Sequence, residues 1–269
     1  MIKEKYDFSD LIEIMRILRA ENGCPWDIEQ THESLKKYLL EETYEVIDAI
    51  DKKIPPHLCE ELGDLLLQII FHAKIASENK EFDIFDIIDG ISRKMVARHV
   101  HVFGDGVCKT SNDVVEIWEK LKKKEKGNKT HTEVLESIPN NLPALIRAYK
   151  VQEKAALVGF DWDNIDDVFD KIHEEIDELK QILKSENKSE ISGELGDSLF
   201  ALVNLARFLD IQPEFALTST TEKFIRRFSY IEENATKLNK KMENMTLAEM
   251  NLYWIKAKKL PKVGEWNEN

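Results

Sequence analysis

The chain has 269 residues, 42% of them hydrophobic, and carries a formal net charge of −13 at pH 7. This composition favours a packed interior and disfavours binding to nucleic acids or anionic membranes, since both are polyanions. Three cysteines without CxxC spacing, and no uninterrupted apolar run near about 18 residues, predict a cytoplasmic protein with neither a disulfide framework nor a membrane span.

Helical periodicity dominates the first half of the chain. Apolar residues recur at helical spacing from Leu11 to Leu18 and predict a first helix, with Ser9 as its N-cap. Further helices are predicted over residues 33–50, 58–76, 82–98 and 114–124. The segment from Val100 to Phe103 is the one candidate strand.

A polar segment then divides the chain. Residues 122–143 combine a lysine-rich run, a Gly-Asn pair and two prolines, which are typical of a linker. Helical periodicity resumes beyond it, over residues 144–158, 168–184, 190–209, 213–238 and 247–260. We therefore predict an all-α protein of two helical bundles, with domains at residues 1–122 and 144–269 and a linker at 123–143.

One acidic pattern occurs twice. In the first half it consists of Glu41, Glu42 and Glu45, followed after fifteen residues by Glu61 and Asp64. The same spacing recurs 133 residues later (174 − 41 = 133), at Glu174, Glu175, Glu178, Glu194 and Asp197. Repetition at a fixed spacing indicates two related units. Carboxylates three or four residues apart also share one helix face.

Some of these carboxylates fall on the apolar side of their helices. Glu42 lies in a seam of apolar residues that includes Leu35 and Ala49, and Glu175 borders the seam of its own helix. A carboxylate that faces a bundle interior is costly unless it is paired or bound to metal. Donor sets made only of oxygen suit Mg²⁺ or Mn²⁺, and the lack of a soft ligand argues against zinc.

The repeated pattern resembles the MazG family of nucleoside triphosphate pyrophosphohydrolases. The family's Glu-Glu-x-x-Glu, spacer, Glu-x-x-Asp motif is met at residues 41–64 and again at residues 174–197. The segments Gly23-Cys24-Pro25-Trp26-Asp27 and Arg98-His99-Val100-His101-Val102-Phe103 are similar to the family's N-terminal unit. The resemblance covers nearly the whole chain. It implies two tandem MazG-like helical bundles that dimerise through helix packing.

The resemblance also implies an activity and a set of acidic site residues. The expected reaction is Mg²⁺-dependent hydrolysis of ribo- and deoxyribonucleoside triphosphates, with broad base tolerance, to monophosphate and pyrophosphate by water attack at the α-phosphorus. Mn²⁺ is an expected substitute, and the cellular role would be nucleotide-pool control or house-cleaning. The implied metal ligands are Glu175, Glu178, Glu194 and Asp197, with Glu42, Glu45, Glu61 and Asp64 as their counterparts. Glu174 is the candidate general base and completes the catalytic set.

Basic and aromatic residues follow each acidic motif in the same order. The positions that match nucleotide contacts of the family's C-terminal unit are Lys171, Lys223, Arg227, Trp254 and Lys258. The first half has counterparts to four of these, at Lys94, Arg98, Trp118 and Lys122. Lysine and arginine can bind phosphate oxygens. Tryptophan offers a stacking surface that any base can use.

Two other interpretations remain open. A di-iron or di-manganese carboxylate bundle needs two Glu-x-x-His motifs, and Glu29-x-x-His32 is a single match outside the acidic pattern. A non-catalytic nucleotide-binding module is the second alternative. Both halves keep all five acidic positions, so the sequence does not decide which one turns over. The family resemblance favours the C-terminal half.

Overall fold

The structure is a computed structural model and describes residues 2–104, 110, 114, 117–118, 130–184 and 187–260. Within these residues lie twelve α-helices with described bounds and one 3₁₀ turn, without a strand. The chain forms two compact units, Met1–Leu121 (unit 1) and Lys122–Asn269 (unit 2). The all-α class with two helical units is therefore confirmed. The domain bounds drawn from the sequence stay a prediction.

Unit 1 is built on a hairpin of two long helices. Its helices are α1 (Phe8–Leu18), α2 (Pro25–Glu29), α3 (His32–Lys52), α4 (Pro55–Glu78), α5 (Ile84–Arg98) and α6 (Val100–Phe103). Helix α3 begins where the Thr31 side chain accepts a hydrogen bond from the Ser34 amide, and it ends at Lys53 in the left-handed region. Pro55 then occupies the first position of α4, where its missing N–H has no cost. The short connection makes α3 and α4 antiparallel neighbours.

The core of unit 1 lies between this hairpin and helices α1 and α5. Its buried members include Met15 of α1, Leu35 of α3, Phe71 of α4 and Ile84 of α5. Because these residues come from four helices, each helix buries one apolar face in a common cluster. The acidic pattern of unit 1 lies on the same two helices, α3 and α4.

Unit 2 repeats the hairpin and has four further described helices. Its helices are α7 (His131–Glu136), α8 (Ala144–Ala156), α9 (Ile165–Ile182), α10 (Lys188–Phe208), α11 (Pro213–Lys237) and α12 (Leu247–Ala257), with a 3₁₀ turn at Met242–Asn244. Val168, Ile172 and Ala201 form the core between α9 and α10. A separate cluster of Ile231, Ala235 and Met245 joins α11 to the segment before α12. None of the described helices has the length and apolar composition that crossing a membrane requires.

Most helix bounds fall within three residues of the prediction, but two local expectations were wrong. The segment Val100–Phe103 is a short helix and not a strand, because the amides of Val102 and Phe103 donate to the His99 carbonyl at 2.8 and 2.9 Å. The N-cap of α1 is Asp7 and not Ser9. The Asp7 side chain accepts from the Asp10 amide, and the Asp10 side chain accepts from the Asp7 amide.

Two further segments bear on the predicted linker and on the helix before it. Residues 131–136 of the expected linker form α7, which begins at a Thr130–Glu133 capping box and contacts α8. Of the helix expected over residues 114–124, Val114, Ile117 and Trp118 are helical, and the other positions lie outside the described residues.

Candidate metal and nucleotide site

The α3–α4 hairpin brings three carboxylates of unit 1 together. Glu42 and Glu45 of α3 and Glu61 of α4 each offer an oxygen atom, and these atoms lie within 4.8 Å of one another. Glu61 is buried, with 7% of its surface exposed, Glu42 is half-buried and Glu45 is exposed. The group therefore opens to solvent on one side and is closed on the other.

The electrostatics of this group favour a bound cation. Burial, together with the charges of Asp64 and Glu45, raises the pKa of Glu42. Burial and the charge of Glu45 raise the pKa of Glu61, and the nearby His57 opposes this shift. Ionised carboxylates at this spacing repel one another, and a divalent cation bound between them would offset the repulsion. The donor set consists of oxygen atoms and fits a hard cation such as Mg²⁺.

Unit 2 forms a similar group on its own hairpin, with two of its three members at positions equivalent to those of unit 1. Glu175 of α9 and Glu194 and Asp197 of α10 have oxygen atoms within 4.8 Å of one another. Glu175 is the buried member, at 7% exposure, and burial followed by the charges of Glu178 and Asp197 raises the pKa of Glu194. Ser198 of α10 is buried and its hydroxyl donates to the Glu175 carbonyl at 3.4 Å, which joins the two helices beside the group.

The fourth expected ligand of each unit lies outside these groups of three. Asp64 and Glu178 are exposed and belong to neither group. Both are close enough to act electrostatically, since the charge of Asp64 contributes to the shift of Glu42 and that of Glu178 to the shift of Glu194. Their role as ligands stays a prediction.

The surroundings of Glu61 include a histidine that the acidic pattern of the sequence does not predict. His57 Nδ1 lies 3.1 Å from Glu61 Oε1, and His57, Glu60 and Glu61 form a further group that could hold a metal ion. The signal that could have found it is the spacing of four residues between His57 and Glu61, which places both on one face of α4. The corresponding positions in unit 2 are Glu190 and Gly193, so this feature is not repeated.

Lys171 is a basic residue that contacts the acidic group of unit 2. Its Nζ lies 2.8 Å from Glu175 Oε1 and 3.0 Å from Glu174 Oε1. The hydrogen bonds to these two carboxylates raise the pKa of Lys171. Glu174, the candidate general base, is thus paired with a cation and is exposed on α9.

The other expected nucleotide contacts of unit 2 lie on α11 and α12. The Arg227 guanidinium carbon is 5.4 Å from the centre of the Trp254 ring, within cation–π range. Phe224 contacts the same ring at 5.1 Å, and Trp254 also packs against the cluster that contains Ile231. Lys223 is half-buried on α11, and Lys258 is exposed directly after α12. Trp254 and Arg227 therefore meet, whereas no contact is described between Lys223 and Lys258.

The counterparts in unit 1 are arranged differently. Trp118 Nε1 donates to the Arg98 carbonyl at 3.0 Å, and the His99 ring lies 5.0 Å from the Trp118 ring. Lys94 is exposed on α5 and Arg98 is half-buried at its end. Lys122 lies outside the described residues. The indole of Trp118 thus has a local structural partner in its own unit.

Comparison with known proteins decides the family. The family profile described as the MazG nucleotide pyrophosphohydrolase domain matches residues 30–103 and 166–232, which together are more than half of the chain. The chain belongs to the MazG family. Each of the two matched stretches contains its own copy of the acidic pattern, so the predicted resemblance and its tandem arrangement are confirmed.

Similar proteins extend the MazG assignment to most of the chain. The nucleoside triphosphate pyrophosphohydrolase/pyrophosphatase MazG of Thermotoga maritima is 45% identical over 251 residues, which cover 93% of this chain and 95% of that protein. The nucleoside triphosphate pyrophosphohydrolase of Escherichia coli K12 is 44% identical, and the match covers 93% of this chain and 96% of that protein. YabN of Bacillus subtilis is 48% identical over 254 residues, but these make up 52% of its own length.

Proposed function

We propose that this member of the MazG family hydrolyses nucleoside triphosphates to the monophosphate and pyrophosphate, with Mg²⁺ as its natural metal and Mn²⁺ as a substitute. Two similar proteins that it matches almost end to end carry the name nucleoside triphosphate pyrophosphohydrolase. The observation that carries the proposal is the convergence of Glu175, Glu194 and Asp197 beside the Lys171 ammonium. This arrangement offers both a metal site and a phosphate ligand.

The acidic residues would hold the metal and position the reaction. Glu175, Glu194 and Asp197 are the proposed ligands in unit 2, with Glu178 as a fourth, and the set in unit 1 is Glu42, Glu45, Glu61 and Asp64. A bound Mg²⁺ ion would supply charge neutralisation for the phosphates and a more acidic water for attack at the α-phosphorus. Glu174 would accept a proton at its carboxylate once its pair with Lys171 opens.

Basic and aromatic side chains would bind the rest of the substrate. Lys171, Lys223, Arg227 and Lys258 would contact phosphate oxygens, with the arginine able to do so in a bidentate manner. Trp254 would stack on the base, and since every base has a π-face this contact predicts broad base tolerance for ribo- and deoxyribonucleotides. Such activity would serve nucleotide-pool control or house-cleaning in the cytoplasm.

Unit 2 is the proposed main catalyst. Tyr38 stands in unit 1 where unit 2 has Lys171, and the Trp118 indole donates to a backbone carbonyl. These two differences favour nucleotide or metal binding without the main turnover in unit 1. A homodimer is also proposed, and half-exposed apolar side chains on α10 and α11, such as Leu199 and Phe224, support packing between helices.

Product analysis tests the activity. The full chain would be incubated with a panel of ribo- and deoxyribonucleoside triphosphates, with Mg²⁺ and with chelator, and the products separated by ion exchange. The expected products are monophosphate and intact pyrophosphate in the presence of Mg²⁺. Diphosphate with orthophosphate, or equal turnover in chelator, would contradict the proposal. Iron content of the purified protein separates this function from a di-iron bundle.

Matched variants test the assignment to unit 2. Glu175→Gln should lower turnover by at least about 100-fold, the scale expected when a group that acts on developing charge is removed. Glu42→Gln, its equivalent in unit 1, should have a much smaller effect. Asp177→Asn is the control on the same helix, because Asp177 is exposed and pairs with Lys180. Turnover that survives Glu175→Gln but not Glu42→Gln would assign catalysis to unit 1.

A further inference from the structure

The acidic groups of the two units differ in whether a lysine ammonium contacts them in the described part of the chain. In unit 2 the Lys171 ammonium lies 2.8 Å from Glu175, the buried member of the metal group, and 3.0 Å from Glu174. The three residues are spaced at i, i+3 and i+4 on α9, so one turn of the helix holds the ammonium over both carboxylates. The Lys171 side chain is 36% exposed and can therefore leave this position toward solvent.

Unit 1 has no equivalent ammonium among the residues that the structure describes. The position that corresponds to Lys171 is Tyr38 (171 − 133 = 38). No described lysine or arginine forms an ion pair with Glu42, Glu45 or Glu61, and the basic group at this site is the His57 imidazole. Within the described residues, the carboxylates of unit 1 therefore have no lysine or arginine as a counter-ion.

A metal ion and the Lys171 ammonium compete for the same carboxylate. Glu175 is buried, so its charge is costly without a partner, and a metal ion bound to its Oε1 atom would displace the ammonium that lies 2.8 Å from that atom. When the metal takes Glu175, the lysine gives up that ion pair and its flexible four-carbon side chain becomes free to bind another anion. The triphosphate of a nucleotide is such an anion. Metal binding and nucleotide binding at unit 2 then favour each other.

We propose that Lys171 is a resident counter-ion that weakens metal binding to unit 2 until a triphosphate draws its ammonium away, whereas unit 1, with Tyr38, binds divalent metal without nucleotide. The inference rests on the proposed function for the identity of the anion. The competition for Glu175 does not depend on turnover. Because linkage is reciprocal, the metal must also increase nucleotide affinity by the same factor.

Binding of Mn²⁺ alone tests the counter-ion, with free Mn²⁺ measured by electron paramagnetic resonance. A Glu42→Gln/Glu61→Gln background isolates unit 2 in the full chain. In that background Lys171→Met should tighten Mn²⁺ binding by about 5- to 150-fold, the usual range for coupled sites. Lys171→Arg keeps the charge and should bind like the parent. Lys180→Met is the control on the same helix, since Lys180 pairs with Asp177 away from the metal group.

The reciprocal exchange in unit 1 provides a second test, which stands even if Lys171→Met does not fold. A Glu175→Gln/Asp197→Asn background isolates unit 1, and Tyr38→Lys should weaken its Mn²⁺ binding. The result that would overturn the proposal is unchanged or weaker Mn²⁺ binding in Lys171→Met, or unchanged binding in Tyr38→Lys.

Coupling is measured with a triphosphate analogue that has a methylene group between the α- and β-phosphorus atoms. The analogue should tighten Mn²⁺ binding to unit 2 more in the parent than in Lys171→Met, and equal enhancement in both would refute the coupling. These measurements use no turnover, so their failure is distinguishable from the failure of the proposed function. Lack of hydrolysis with tighter Mn²⁺ binding in Lys171→Met would reject only the enzyme activity.

Discussion

Arg19 connects the loop before α3 to the helices α1 and α4 of unit 1. Replacing it with methionine should lower the free energy of unfolding of that unit by about 3–5 kcal/mol. Its side chain is 7% exposed, and its Nη2 lies 2.7 Å from Glu78 Oε2 at the end of α4. Nη1 donates to the Asp27 carbonyl, and also to the Gln30 carbonyl at 3.2 Å. The guanidinium thus ties the turn around α2 to both α1 and α4.

The expected loss of stability follows from the hydrogen bonds that Arg19→Met removes. A hydrogen bond to a charged group contributes about 1.5–3 kcal/mol, and each of the two carbonyl contacts contributes about 1 kcal/mol. The Glu78 side chain is 33% exposed, so the lower end of the range for the charged contact applies. Methionine keeps the apolar stem, so the loss reports the polar contacts and not packing.

Hydrogen exchange with mass spectrometry, carried out during unfolding in urea, would measure the stability of each unit separately. Peptides of α1, α3 and α4 should lose protection in Arg19→Met, while those of α9 and α10 should not change. Arg207→Met is the matched control in unit 2, because Arg207 pairs with Asp161 there and its side chain is 11% exposed. It should affect the opposite set of peptides.

A double-mutant cycle with Glu78→Gln isolates the ion pair. The coupling free energy between the two positions should be about 1.5–3 kcal/mol at neutral pH. The hydrogen bond from Arg19 lowers the pKa of Glu78, so this contribution is present above the ordinary carboxylate pKa and is lost as the pH falls through the lowered value. A loss below about 1 kcal/mol for Arg19→Met, or no coupling, would show that solvent screens the contact.

Two further predictions concern stability. Leu35 and Val168 are both buried and occupy equivalent positions of the repeat. Leu35→Ala should lower the free energy of unfolding of unit 1 by about 2–5 kcal/mol. Val168→Ala removes two buried methyl groups and should lower that of unit 2 by at least about 1.6 kcal/mol. If the same exchange experiment showed both units responding to either variant, the two cores would be a single cooperative unit. Lys240 and the Thr246 amide lower the pKa of Glu249 to about 2, so Glu249→Gln should destabilise unit 2 above about pH 5, and the difference from the parent should vanish as the pH falls toward about 2. An effect independent of pH would rule out the ion pair as its cause.

The sequence alone determined the helices, the repeat and the acidic faces, since all three depend on short-range spacing. Periodicity of apolar residues predicted the bounds of α3, α4, α9 and α10 within three residues. The offset of 133 residues predicted two equivalent hairpins, and the family profile matches both. An ambiguous local pattern gave a wrong prediction at Val100–Phe103, where alternating valines indicated a strand. These residues have no neighbouring strand among the described residues, and they form a helical turn.

Only the tertiary structure decided which carboxylates of each pattern meet and which cation accompanies them. Glu178 and Asp64 share the motif with Glu175 and Glu61 but lie outside the groups of three, whereas their counterparts in the other unit, Glu45 and Asp197, lie inside them. The Arg19–Glu78 pair joins residues 59 positions apart, a contact that no local spacing predicts. Burial of Glu175 at 7% exposure gives the Lys171 contact its importance, and burial is created by neighbouring helices, not by the sequence around a residue.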